Sequence, residues 1–132
     1  MPAELFWLAL TVTMTGLMWV YVFVLVAQLG FGPAMRDPVH DTPYAAPWAQ
    51  RAKRAHANAV ENLAIFAPLV LVLHAAEIST SATVAACAVY FVARALHYGV
   101  YVAAVPWART PLFMVGFLAQ ATLAVTLLRS SL

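Results

Sequence analysis

The sequence predicts an all-α membrane protein, an antiparallel bundle of four transmembrane helices. Three observations carry that prediction. The 132-residue chain is 64% hydrophobic and only 9% charged, against about 45–50% and about 25% in soluble domains. Its mean hydropathy is +0.85, and a domain this small leaves much of its surface facing its solvent. Stretches long enough for the roughly 20 residues that cross a hydrocarbon layer are separated by proline-rich or polar breaks. Together these exclude a soluble monomer and a disordered chain.

The elements follow in order. Leu5 to Met35 contains no Asp, Glu, Lys or Arg. The N-terminus offers Glu4 and no base, unlike a secretory signal, so a retained first span over about 5–28 is expected. Residues 30–50 hold four of the eight prolines, Pro33, Pro38, Pro43 and Pro47, and two of the five glycines. Proline removes a backbone donor, and the segment reads as a loop. A second span is expected over about 55–78 and a third over about 82–105, divided by Ser79, Thr80 and Ser81. So short a connection makes antiparallel neighbours. Pro106 closes the third span. Thr110 and Pro111 then offer an N-cap hydroxyl and a first-turn proline for a fourth span over about 111–128, with Arg129 at its end. One domain covers 1–132.

Basic residues set the expected orientation. Arg36, Arg51, Lys53, Arg54 and Arg109 lie in or beside the first and third loops, and Arg129 alone lies on the other face. The positive-inside rule then makes those loops, including 30–50, cytoplasmic and puts both termini outside. The formal charge of +2 is too small for a nucleic-acid footprint. The single cysteine, Cys87, excludes an intrachain disulfide and reads as a buried packing thiol. Small residues at helical spacing (Ala9, Thr13 and Gly16; Gly116 and Ala119) suit close helix packing in lipid.

Ionisable residues inside a span are costly and are functional candidates. Arg51, Arg54, Asn58 and Glu61 follow one another at intervals of 3, 4 and 3, one stripe of a helix. His56 lies beside it, with structural and ligand roles both open. Arg94, His97 and Tyr101 repeat the spacing on the third span. Arg94 sits near mid-span and needs an anionic or carbonyl partner, for which Glu61 is the expected choice. Arg109 stands at the start of the fourth helix, whose free N–H groups attract anions. Such an array suits a small zwitterion, its carboxylates on arginine and its ammonium on Glu61. Lys53 reads as an interfacial anchor and His74 and Glu77 as solvated residues, and no metal-ligand set is expected.

The run Arg51-x-x-Arg54-Ala55-His56-x-Asn58-x-x-Glu61-Asn62 resembles the second-helix signature of the MAPEG family, the membrane-associated proteins in eicosanoid and glutathione metabolism. Arg94-x-x-His97-x-x-x-Tyr101, followed by Arg109-Thr110, resembles its third helix and the arginine before its fourth. The resemblance implies a homotrimer that binds glutathione as co-substrate between subunits, as a glutathione transferase or peroxidase-like enzyme. It implies that Arg51, Arg54, His56, Asn58, Glu61, Arg94, His97 and Tyr101 contribute to glutathione binding. Arg109 would stabilise the thiolate, which attacks a lipophilic electrophile arriving from the bilayer. The chain departs from the pattern at Gln28 to Gly32, where relatives commonly carry an arginine. It departs again at Ile65, where they carry a proline found here three residues later as Pro68.

Two other readings stand beside this one. A trimeric protein could keep the fold without turnover, in a structural or lipid-binding role. A proton-coupled transporter would want a carboxylate within the first helix, and that helix has none after Glu4.

Overall fold

A computed structural model describes residues 1–36 and 43–130. Pro38, one of the four loop prolines, lies outside the described residues. The described residues form helices and connecting turns, with no strand among them. They are α1 (Ala3–Leu17), a 3-10 link (Met18–Tyr21), α2 (Val22–Leu29), α3 (Phe31–Arg36), α4 (Pro47–Ala75), α5 (Ser81–Val102) and α6 (Arg109–Ser130). Four helical stretches are long and apolar enough to cross a membrane, α1 with α2 counting as one. The all-helical, four-span fold class is therefore what the chain adopts.

Boundaries differ from expectation in ways that matter for the site. The segment 30–50 is not all loop: α3 occupies Phe31–Arg36, and α4 already begins at Pro47. Proline is suited to the first helical position because its fixed φ matches the helix and its missing donor would be unpaired there anyway. The Ala-, Arg- and Lys-rich stretch that follows has high helix propensity. At 1.5 Å per residue the 29 residues of α4 span roughly 43 Å, well beyond a hydrocarbon layer of about 30 Å. Its first turns, which carry the basic stripe, therefore project into the interface. The helix ends at Ala75, short of Ile78, and continues unbroken through Pro68.

α5 starts on a capping box in which the Thr80 hydroxyl accepts from Thr83 N–H and the Thr83 hydroxyl accepts from Thr80 N–H. It ends at Val102, and α6 starts at Arg109. Thr110 and Pro111 are thus already helical, a correction to the expected cap at Thr110. The first four N–H groups of a helix have no internal partner, so proline is tolerated throughout that turn.

Inside the first span, Thr11 and Thr15 donate to the carbonyls of Trp7 and Thr11, each at 2.8 Å. Such back-bonding satisfies the hydroxyls and bends helices; the 3-10 link follows at Met18. Its Met18 carbonyl accepts from the Tyr98 hydroxyl of α5 at 3.1 Å. Glu4 pins the other end of α1: one carboxylate oxygen accepts from Ser79 and Thr83, both at 2.7 Å. Within one chain α1 buries the face of Glu4, Leu8, Thr11 and Thr15, while Ala9, Thr13 and Gly16 face outward. They do not pack helices together within the chain.

The main core joins Leu8, Phe66, Val70, Tyr90 and Leu123 from four helices. Phe66 and Tyr90 stack at 3.8 Å between ring centroids, 9° apart. Cys87 is buried among them, as its surroundings in the sequence predict.

Candidate functional site

α4, α5 and the start of α6 enclose a cleft of about 480 Å³. Arg54, Asn58 and Glu61 line it from α4, His97 and Tyr101 from α5, and Arg109 from α6. Spacings of 3 and 4 put each helix's contributors on one face, and packing of the three helices turns those faces together. The Arg109 guanidinium lies over the Tyr101 ring at 4.9 Å, and the Tyr101 and His97 rings meet edge to face at 5.7 Å. Glu61 and Arg54 are exposed to the cleft, whereas His97 is buried in its wall.

Three sequence candidates are placed elsewhere. Arg51 lines an adjoining groove, and its Nε donates to the Val102 carbonyl at 2.8 Å. The His56 ring turns toward the first span, where Nδ1 and the Tyr21 hydroxyl are 3.0 Å apart. Arg94 is 2% exposed and lies behind the cleft. Its guanidinium donates to Asn58 Oδ1 at 3.1 Å and Asn62 Oδ1 at 3.3 Å. The expected pairing with Glu61 is replaced by these two amides, because Arg94 emerges beside the buried side of α4 while Glu61 points outward.

The surroundings of Arg94 complete a buried network. The guanidinium lies 5.3 Å from the Tyr90 ring and 5.1 Å from that of Phe113, a favourable setting for a cation over π-faces. Among the described residues, its Nε and the Tyr90 hydroxyl form no hydrogen bond of good geometry. A guanidinium only donates, so both asparagine oxygens must face it. The Asn62 amide then donates to the Asn58 carbonyl at 2.8 Å, and Gln120 donates to the Asn62 carbonyl at 2.9 Å. Asn58, its Oδ1 held by Arg94, also lines the cleft. Sequence reasoning missed the Asn62–Gln120 link and Phe113, which also lines the cleft. Asn62 stood in the motif, one residue off the charged stripe; nothing in the spacing marked Gln120 or Phe113.

Residues 5–129 match the profile of the MAPEG family, nearly the whole chain. The chain belongs to the MAPEG family. It is accordingly an integral, multi-pass membrane protein of the glutathione and eicosanoid metabolism type. No curated protein and no solved structure gives a match. Within the MAPEG pattern, the cleft gathers six of the nine residues picked out from the sequence. Among the described residues no three His, Cys, Asp or Glu side chains form a metal-ligand group.

Proposed function

We propose that this MAPEG protein binds glutathione in the cleft and activates its thiolate against lipophilic electrophiles. The observation that carries the reading is the convergence of two guanidiniums, one carboxylate and one oriented amide in a single cleft. Its volume lies within the roughly 300–1,000 Å³ of small-molecule sites. Glutathione offers a carboxylate for Arg54 and an ammonium for Glu61. Arg109, at the N-terminal end of α6, would hold the sulfur as thiolate, since a nearby cation lowers a thiol pKa from about 8.5. The thiolate would form a bond to carbon of the electrophile, and the electron pair of the bond that breaks would leave with the departing group. Assembly as a homotrimer, with electrophiles entering from the bilayer, belongs to this proposal, as do cytoplasmic first and third loops with both termini outside.

Calorimetric titration of the detergent-purified protein with glutathione tests binding. Glu61→Gln should weaken binding about 10- to 100-fold, the worth of one charge-assisted contact. Arg109→Ala should retain binding but lose about 100- to 1,000-fold in conjugation rate. Absence of binding at millimolar glutathione, or unimpaired activity in both variants, would overturn the reading.

A catalytically silent structural or lipid-binding protein is the second reading. It is favoured by Gln28, whose side-chain amide is engaged by the Pro43 carbonyl at 3.2 Å and the Ala45 N–H at 2.9 Å. The end of α2 therefore offers a backbone clamp where relatives commonly carry an arginine. Glutathione binding without turnover of any electrophile would select it.

A further inference from the structure

Beside the cleft, on the far side of Arg54 and Arg109, lies a second groove of about 480 Å³. Arg51, Arg54 and Arg109 line it together with Tyr101, Thr110 and Trp107, and among the described residues no acidic side chain does. Three guanidiniums share this space with no carboxylate among its described lining, a setting that favours a bound anion.

Two features show that it is shaped and held. Arg51 is tied through Nε to the Val102 carbonyl, and its terminal nitrogens take no further partner among the described residues. Arg109 is placed over the Tyr101 ring, its guanidinium carbon 4.9 Å from the ring centre. Both guanidiniums are thus held ready for an anion, and a guanidinium fork matches phosphate oxygens in pairs. The rim is apolar and is carried by the turn between α5 and α6. There Ala104 and Trp107 adopt positive φ values of 57° and 67°, and Trp107 projects outward, 91% exposed. An indole so placed beside a span end belongs at the headgroup level of a bilayer.

We propose that this groove binds the phosphate of an anionic phospholipid headgroup, with Trp107 against the glycerol and upper acyl region. Glutathione is not the matched occupant, because the described lining of the groove holds no carboxylate for its ammonium; Glu61 lines the cleft and not the groove. The basic span end attracts anionic lipid in any case, and the groove converts that attraction into a defined contact. Arg54, Tyr101, Arg109 and Thr110 line both spaces. Where the proposed glutathione cleft holds, a lipid phosphate here would compete for two of its cations and lower its affinity for glutathione.

The test uses the full chain in nanodiscs of phosphatidylcholine containing phosphatidylglycerol, without glutathione. Native mass spectrometry then counts the lipids retained after release. The wild type should keep phosphatidylglycerol in preference to phosphatidylcholine, and Arg51→Gln should reduce that retention about tenfold. Should Arg51→Gln fail to fold, the fully exposed Trp107→Ala should also reduce retention. Equal retention by a folded variant and the wild type overturns the proposal. Displacement of the lipid by millimolar inorganic phosphate, with phosphate itself then retained, marks a free-anion site and overturns the lipid assignment. Because glutathione is absent, these outcomes are independent of whether the cleft binds it.

Discussion

An added Cβ at Gly116 would stand 2.7 Å from Arg94 Nη2 and 3.0 Å from Nε. The bare backbone of α6 is what allows a guanidinium to lie between α4, α5 and α6. Gly116→Ala must push Arg94 away from its asparagines, and overpacking of this kind costs about 1–3 kcal/mol. Thermal unfolding in detergent should show that loss, whereas unchanged stability would mean the guanidinium yields freely. Arg94→Lys probes the same network chemically. It keeps the charge but loses the forked donors that hold Asn58 and Asn62 together. Glutathione affinity should fall about tenfold, one hydrogen bond to a charged group, although no cleft-lining side chain has changed. Calorimetry on the folded variant measures it. An unaltered affinity would show that the orientation of Asn58 does not depend on Arg94.

The first span is two helices joined by a 3-10 link, and its neighbours make that break tolerable. In hydrocarbon no water is at hand to solvate a broken helical ladder, and the Tyr98 hydroxyl of α5 donates to the Met18 carbonyl at this point. Tyr98→Phe should therefore destabilise the protein by about 1 kcal/mol, the net worth of one hydrogen bond. A thermal midpoint equal to that of the wild type would mean the carbonyl finds another donor. α4 shows the complementary case, a helix longer than the membrane is thick. Its protruding start brings Arg51 and Arg54 to the interface, while Asn58 and Glu61 follow one and two turns deeper. The expected loop at 30–50 failed as a description because proline count does not distinguish a loop from a helix that starts on proline.

Over the whole molecule, large apolar side chains such as Phe23, Ile65, Leu96 and Leu118 are exposed on every span, as a lipid-facing bundle requires. The charged groups collect inside, in the cleft or at the two ends. Basic residues cluster at the end that carries the α5–α6 turn, so that end is expected to face the cytoplasm. Cys87 is buried and should stay silent toward an impermeant thiol reagent, which makes introduced cysteines readable. Ser130→Cys should label in intact cells, and Trp107→Cys only after permeabilisation. The opposite pattern would reverse the topology. Labelling of both in intact cells would place the α5–α6 turn outside.

Composition and helical spacing by themselves determined the lipid solvent, the four spans and the stripe of Arg54, Asn58 and Glu61. These are local properties, readable because a helix repeats every 3.6 residues and a bilayer demands a minimum apolar length. Nearly the same spacing placed Arg51 on that stripe and Arg94 opposite Glu61, and here it was insufficient. Which way a helix face turns, and what meets it, depends on the rotation and depth of neighbouring helices. The tertiary structure alone decided that Arg94 holds two amides, that Gly116 makes room for it, and that Arg51 belongs to a separate groove. An arginine in lipid takes whatever acceptors lie within reach of its fork, and only packing sets that reach.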